Sequence, residues 1–123
     1  MTLLTAIVIV GYLVLAFAIA PKPLPKKKVT ERGIASYYSD ELAGKPMANG
    51  QPYDPLRFTA ASWHYKLGTV VKVKNVKNDL VVFVEVTDRG PARRLNRVID
   101  LSRAAFDCLG DLKDGLIEVE ITP

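Results

Sequence analysis

The longest apolar run of the chain lies at its start. Residues 2–20 carry no charged side chain, and a helix of about 19 residues, rising about 1.5 Å per residue, matches the apolar thickness of a bilayer. The run predicts an uncleaved signal anchor or a secretory signal peptide over residues 1–20, since Ala18-Ile19-Ala20 resembles a cleavage site. Pro21 directly after that site is unfavourable for cleavage, which favours the anchor.

The next segment, residues 21–31, has a different composition. It contains three prolines and four lysines. Proline favours an extended backbone and lysine keeps a segment solvated, so these residues are predicted to be a linker.

From Gly33 onward the pattern is mostly that of β-structure. A strand is predicted over Gly33–Tyr38, followed by a turn-rich stretch over residues 43–55. Runs of β-branched and apolar residues predict strands over Val70–Asn75 and Leu80–Thr87. The remaining predicted elements are a strand over Arg97–Leu101, a helix over Arg103–Leu109 with Ser102 and Gly110 as its caps, and a strand over Leu116–Ile121. Short strands with one short helix in about 90 residues indicate a small closed barrel, mainly β.

Charge and cysteine content exclude several classes of protein. The net charge is +4, but the linker lysines account for it, because residues 29–123 hold 13 basic and 13 acidic side chains. A neutral domain does not favour nucleic-acid binding, which needs basic residues concentrated on the fold. The single cysteine, Cys108, and the single histidine, His64, exclude a zinc finger, a disulfide framework and a multi-histidine metal site. No cofactor is expected, and Cys108 is predicted to be a small buried apolar residue of the helix.

Seven short motifs carry a resemblance to a known family. They are Gly33–Tyr38, Ala48-Asn49-Gly50, Thr59-Ala60-Ala61, Leu67-Gly68-Thr69, Asp88-Arg89-Gly90-Pro91, Ile99-Asp100-Leu101-Ser102 and Leu109-Gly110. In this order and spacing they resemble the rare lipoprotein A (RlpA) family, whose domain is a double-psi β-barrel related to the expansin catalytic domain. The resemblance implies a six-stranded double-psi β-barrel with one short helix over residues 32–123.

The activity that the resemblance implies is lytic transglycosylation of peptidoglycan. The β-1,4 bond between N-acetylmuramic acid and N-acetylglucosamine is cut by the sugar's own 6-hydroxyl, which leaves a 1,6-anhydro end. This chemistry needs a proton donor for the leaving oxygen and a base for the hydroxyl. The alternative is a non-catalytic or expansin-like barrel that binds cell-wall glycan without cutting it.

The family places an acid, a histidine and an aspartate in its cleft. Carried over by position, the aspartate is kept as Asp88, the acid position holds Gln51, and the histidine position holds Ser62. Neither an amide nor a hydroxyl exchanges a proton usefully near neutral pH, so weak cleavage is expected and Ser62→His is expected to raise it. His64 could reach the same cleft from two residues further on. We expect the side chains of Asp88 and Ser62 to face one open groove, with Gln51 nearby.

Aromatic and polar residues around these positions are candidates for holding the glycan. A flat aromatic face suits the CH face of a pyranose, although packing inside the protein is the competing explanation. The substrate-binding candidates are Tyr37, Tyr38, Asn49, Tyr53, Trp63, Tyr65 and Arg89. Five arginines after Asp88 could hold carboxylate or phosphate groups of wall polymers, or form ion pairs in a solvated turn.

The expected partners are peptidoglycan glycan strands and a membrane reached through the N-terminal helix, with the protein a monomer. Such a substrate requires the domain to lie outside the cytoplasmic membrane, in the cell envelope, either anchored or secreted. The four linker lysines favour the opposite orientation under the positive-inside rule. The two indications therefore conflict.

Overall fold

A computed structural model describes residues 21–24 and 30–123. Its strands are β1 (Glu31–Tyr37), β2 (Thr59–Ala61), β3 (Val70–Asn75), β4 (Val81–Asp88), β5 (Ile99–Leu101) and β6 (Ile117–Thr122). The α-helix of this part of the chain, α1 (Arg103–Leu109), follows β5 directly. Short 3-10 turns lie at Asp40–Leu42, Arg93–Leu95 and Leu112–Asp114.

The six strands close into one barrel in the order β1-β5-β2-β4-β3-β6. The pairs β1–β5 and β2–β4 are parallel, and the other four neighbours are antiparallel. Because β2 lies between β5 and β4, its last residue, Ala61, is paired with Asp100 on one side and Asp88 on the other. The topology therefore brings two acidic residues, distant in sequence, to one end of the barrel.

The core follows from the alternation of the strands. In β3 and β4 every second residue is buried, from Val71 and Val73 to Val82, Val84 and Val86. Helix α1 closes the other side of this core with Phe106 and Leu109, which are fully buried. Full burial of one such apolar side chain stabilises the fold by about 1.5–3 kcal/mol.

Both ends of α1 are capped by side chains or backbone near them. The Ser102 hydroxyl accepts a hydrogen bond from the Ala105 amide, which satisfies one of the free N–H groups of the first turn. At the other end, the Gly110 amide donates to the Phe106 carbonyl. The side-chain amides of Asn75 and Asn78 both donate to the Leu109 carbonyl, at 2.9 and 2.8 Å. The helix thus has its caps fixed against the β3–β4 connection.

The predicted six-stranded, mainly β barrel with one short helix is confirmed. The bounds of β3 and α1 agree with the prediction, and the other predicted strands differ from the observed ones by one or two residues at their ends. β2 was not predicted as a strand, because three residues are too few to show an alternation.

Cys108 corrects the sequence-based expectation, because it is exposed. The buried positions of α1 are Ala105, Phe106 and Leu109, and residue 108 lies on the opposite side of the helix.

The predicted N-terminal helix over residues 1–20 lies outside the described residues. Within the described ranges, no helix is long and apolar enough to cross a membrane. The predicted linker, residues 21–31, is described only in part, and its last residue, Glu31, already begins β1.

Candidate active site

Two aspartates lie at the barrel end where β4 and β5 flank the end of β2. Asp88 and Asp100 are each paired with Ala61, so their backbones are two strand spacings, or about 10 Å, apart. Both side chains line one open cavity of about 330 Å³, together with Ser36, Tyr38 and other residues of the surrounding turns. The arrangement places two carboxyl groups against one volume large enough for a sugar ring.

The Asp88 carboxylate accepts hydrogen bonds from three segments of the chain. Oδ1 accepts from the backbone amides of Ala48 and Arg89, both at 2.8 Å. Oδ2 accepts from the Tyr38 hydroxyl at 2.6 Å. Burial, followed by this bond to Asp88, raises the pKa of Tyr38 well above its ordinary value, so the phenol remains a donor. Asp88 is thereby held in one orientation at the edge of the cavity.

Asp100 has a different environment. Burial raises the pKa of the Asp100 carboxyl above its ordinary value, and the charge of Asp88 acts in the same direction. The hydrogen bond that Oδ1 accepts from the Ser36 hydroxyl, and the nearby Arg97, oppose this shift only in part. Asp100 therefore keeps its proton to higher pH than an ordinary aspartate does.

Sequence reasoning did not select Asp100 as a site residue, although its motif was recognised. The available signal was an acidic residue between Ile99 and Leu101, both fully buried. Alternation along a strand puts such a residue on the face opposite its neighbours, outside the core, so a single acidic residue between two core residues is the signal that could have selected Asp100.

Gly90 brings the backbone close to Asp100. Its φ of 153° is rarely adopted by residues with a side chain. A Cβ atom there would lie 3.4 Å from the Ala61 Cβ and 3.8 Å from Asp100 Oδ2. The Asp88–Pro91 turn consequently packs over the end of β2 and against the Asp100 carboxyl, and a side chain at this position would crowd the cavity.

The Ser62 side chain does not face this cavity, contrary to the prediction. It is 0% exposed, and its Oγ accepts a hydrogen bond from the His64 amide at 3.1 Å. The hydroxyl is turned back to cap its own loop, which is a common role for serine. The Ser62 backbone does contact Asp88, because the Ser62 amide donates a hydrogen bond to the Asp88 carbonyl at 3.1 Å.

Gln51 and Asn49 lie in an exposed turn, next to the Ala48 amide that donates to Asp88. They do not line the cavity. The Gln51 amide donates to Asn49 Oδ1 at 3.0 Å, and the Asn49 amide donates to the Thr87 carbonyl at 3.1 Å. These bonds fix the turn that supplies the Ala48 amide to Asp88. Asn49 and Gln51 therefore stabilise the turn that holds Asp88 in place.

His64 lies against the start of β1 and is not brought to the two aspartates. Its Nδ1 is 2.8 Å from the Glu31 carboxylate, and the Tyr65 hydroxyl donates to the same carboxylate at 3.3 Å. Burial and the charge of Glu31 raise the pKa of Tyr65 to about 12. The Arg89 guanidinium donates to the carbonyl oxygens of Ser62 and Tyr65, so this cation is bound to the loop.

Three of the aromatic candidates are largely used in packing. Tyr37 packs on Phe106 with ring centroids 4.7 Å apart, and its hydroxyl donates to the Leu112 carbonyl. Tyr38 and Tyr53 are buried and their rings stack at 4.4 Å. These contacts support the packing explanation for all three side chains, and Tyr37 and Tyr38 also line the cavity.

Trp63 has a different position. It is 43% exposed, and its indole N–H donates to the Pro91 carbonyl at 2.7 Å. Its ring is thus fixed beside the cavity with part of its face accessible. Within residues 21–24 and 30–123, no three histidine, cysteine or acidic side chains are grouped so as to hold a metal ion.

Comparison with known proteins agrees with this architecture. The family model described as lytic transglycolase matches residues 30–121. The chain is 42% identical over 96 residues to the probable endolytic peptidoglycan transglycosylase RlpA of Nostoc sp., covering 76% of this chain and 26% of that protein. It is 40% identical over 100 residues to the endolytic peptidoglycan transglycosylase RlpA of Neisseria meningitidis, covering 79% of this chain and 41% of that protein. The chain thus spans well under half the length of these relatives.

Solved structures show the same fold in proteins with other names. An expansin of Clavibacter michiganensis in complex with cellohexaose superposes with a TM-score of 0.60 at 26% identity, covering 77% of this chain and 50% of the expansin chain. A Streptomyces papain inhibitor gives a TM-score of 0.59 at 27% identity, covering 76% of this chain and 93% of the inhibitor. From the family match and these relatives, the chain belongs to the lytic transglycolase family of RlpA-like double-psi β-barrels.

Proposed function

We propose that the protein is a peptidoglycan lytic transglycosylase that cuts between N-acetylmuramic acid and N-acetylglucosamine and leaves a 1,6-anhydro end. The observation that carries the proposal is the pair Asp88 and Asp100, which line one open cavity while differing in environment. The names of the relatives support the same substrate class.

In this proposal Asp100 handles the proton. Its raised pKa favours the protonated form needed to donate to the glycosidic oxygen while the bond from that oxygen to the anomeric carbon breaks. The resulting Asp100 carboxylate then takes the proton of the 6-hydroxyl as that oxygen bonds to the anomeric carbon. One proton leaves Asp100 and one returns, so no water is consumed.

Asp88 acts on charge in this scheme. Positive charge develops at the anomeric carbon in the transition state. A carboxylate held by fixed donors does not need to reorient when this charge forms, which is the condition for efficient electrostatic stabilisation. The donors that hold Asp88 are Tyr38, Ala48 and its own neighbour, Arg89.

A barrel that binds cell-wall glycan without cutting it is the second candidate. Two observations favour it: the exposed Gln51 has no exchangeable proton for this chemistry, and the Ser62 hydroxyl is buried. The similarity to an expansin solved with cellohexaose supports the same class.

The experiment that separates the two candidates is digestion of purified sacculi by the full-length protein in mild detergent. We expect 1,6-anhydro muropeptides from the wild type and at least about 10²-fold less from Asp100→Asn. Asp107→Asn, on the exposed side of α1, is the matched control and is expected to keep the activity. Sacculi that bind the wild type without any anhydro product would overturn cleavage in favour of the binding barrel.

We further propose that the barrel works outside the cytoplasmic membrane, tethered through residues 1–20 or released after them. The support is the location of the proposed substrate, against the charge of the four linker lysines. A C-terminal fusion to a reporter that is active only outside the cytoplasm tests this proposal. The comparison is the same fusion to a reporter that is active only in the cytoplasm. A signal from this second reporter alone would contradict the proposal.

A further inference from the structure

A second cavity adjoins the one at the two aspartates and differs from it in charge: the first is lined by Asp88 and Asp100 together with Arg89 and Arg97, whereas the second has basic residues and no acidic ones. Its volume is about 320 Å³, and it is lined by Trp63, His64, Arg93, Asn96, Arg97 and Val98. We call it the cationic pocket, since none of these six residues is acidic. Arg97 lines both cavities, so the two are neighbours on the surface of the barrel.

The aromatic wall of the cationic pocket is held in place. The Trp63 indole N–H donates to the Pro91 carbonyl, in the turn that follows Asp88. The Arg93 guanidinium lies 4.7 Å from the centroid of the Trp63 ring. This cation–π contact places the guanidinium over one face of the ring, so the apolar surface offered to a sugar is the exposed part of the indole that Arg93 does not cover.

Neither arginine of the cationic pocket forms an ion pair within the described residues. The basic residues that do form ion pairs are Arg32, His64, Lys74 and Arg103. Neither Arg93 nor Arg97 has a carboxylate of the described part of the chain within 4.0 Å. His64 is already engaged by Glu31. Arg93 therefore supplies positive charge that no ion pair offsets, while the charge of Arg97 also acts on Asp100.

We propose that the cationic pocket binds a carboxylate carried by the glycan strand, with the sugar that carries it stacked on Trp63. Guanidinium groups bind carboxylates through paired, charge-assisted hydrogen bonds, and an exposed indole offers the apolar face that a pyranose needs. In peptidoglycan the carboxylates belong to the lactyl group of peptide-free muramic acid or to the stem peptide. The polymer thus named rests on the proposed function, while the binding preference is independent of cleavage.

The test uses the fluorescence of Trp63, because it is the single tryptophan of the chain. The full-length protein in mild detergent, carrying Asp100→Asn to keep the strands intact, is titrated with three soluble oligomers of equal length. They are a peptide-free muramic acid–glucosamine oligomer, the same oligomer with stem peptides, and a neutral β-1,4-linked N-acetylglucosamine oligomer. We expect at least one acidic oligomer to bind about fivefold or more tightly than the neutral one, with a preference that falls as salt is added.

The matched variants are Arg93→Gln and Arg94→Gln. Both residues lie in the Arg93–Leu95 turn and are exposed, but only Arg93 lines the pocket. We expect Arg93→Gln to abolish the preference for acidic oligomers, and Arg94→Gln to keep it. A preference confined to the peptide-free oligomer assigns the lactyl carboxylate, and one confined to the peptide-bearing oligomer assigns the stem peptide.

Equal affinity for acidic and neutral oligomers, or a preference that survives Arg93→Gln, would overturn the proposal that the cationic pocket binds a carboxylate. These outcomes are separate from the sacculus digestion. If the protein prefers acidic oligomers but releases no anhydro products, the binding proposal stands and the cleavage proposal fails. If it releases anhydro products but shows no preference, the cleavage proposal stands and the binding proposal fails.

Discussion

The Arg89 guanidinium donates to the carbonyl oxygen of Ser62 at 2.8 Å. A second bond from the same group goes to the Tyr65 carbonyl. The first cation after Asp88 therefore fixes the loop over residues 62–65, which also carries Trp63, and does not form an ion pair with the Asp88 side chain. Arg89 is a predicted substrate-binding residue because guanidinium groups suit carboxylate and phosphate, but its bonds to the two carbonyl groups favour a positioning role.

Replacing Arg89 is expected to destabilise the fold. Arg89→Ala removes two charge-assisted bonds to partly buried carbonyl groups, and we expect it to lower the free energy of unfolding by about 2 kcal/mol. Urea denaturation measures the effect. The control is Arg94→Ala, an exposed arginine whose loss is expected to change stability by no more than about 0.5 kcal/mol. Equal stability of the two variants would show that the loop does not depend on Arg89.

The two adjacent tyrosines give a matched pair for testing the support of Asp88. Tyr38→Phe removes the 2.6 Å donor to Asp88, and we expect about a tenfold loss of cleavage together with about 1–2 kcal/mol of stability. Tyr37→Phe removes the bond to the Leu112 carbonyl at 2.9 Å, at a cost of about 1 kcal/mol. Tyr37 also lines the cavity, but its hydroxyl is bonded to Leu112 and not to Asp88, so the loss of this bond is expected to leave cleavage unchanged. Similar activity of both variants would argue that the orientation of Asp88 does not matter.

The raised pKa of Asp100 predicts a pH-dependent effect on stability. Below the ordinary value of 3.8, the carboxyl is protonated in both the folded and the unfolded chain and contributes nothing. As the pH rises past 3.8 the unfolded chain loses its proton first, so stability falls until the pH passes the raised folded-state pKa.

The variant Asp100→Asn removes this penalty. We expect its free energy of unfolding, relative to wild type, to increase between pH 3 and pH 7, as measured by urea denaturation at each pH. Asp107→Asn, on the exposed side of α1, controls for the loss of one acidic side chain. A difference between Asp100→Asn and wild type that stays constant over this range would contradict the raised pKa.

The buried position of Ser62 reverses the expectation for Ser62→His. A serine side chain that is 0% exposed leaves no room for an imidazole, so we now expect a destabilisation of about 1–3 kcal/mol and no gain in cleavage. Gln51→Glu, on an exposed turn, is expected to change stability by no more than about 0.5 kcal/mol. Thermal unfolding and the sacculus digestion measure both variants. A stable and more active Ser62→His variant would mean that residue 62 turns toward the cavity when it carries a larger side chain.

Much of the fold was predictable because its longer elements carry strong local signals. The alternation in β3 and the serine-capped helix α1 gave bounds that agree with the structure. β2 carries no such signal, because Thr59–Ala61 owes its strand conformation to pairing with β4 and β5. Its position follows from the closure of the barrel, which local pattern does not express.

The candidate site was less predictable for a related reason. The resemblance to the family indicates Asp88, but the partner that lies across Ala61, Asp100, is selected by strand pairing. The direction of the Ser62 and His64 side chains depends on the hydrogen bonds of one loop, and residue spacing says little about those. Position in a motif thus identified the neighbourhood of the site better than it identified the groups that face the cavity.

The hydrogen bonds of the Asp88 carboxylate show that the Asp88-Arg89-Gly90-Pro91 motif has a structural role. Its carboxylate ties together the end of β1, the turn at Ala48 and its own turn, so it contributes to the stability of the barrel whether or not the barrel cuts glycan. An inactive Asp88→Asn variant is consequently ambiguous between lost chemistry and lost architecture. The motif is therefore a marker of this architecture, and the proposed cleavage is tested more directly at Asp100, which lies across the end of the barrel.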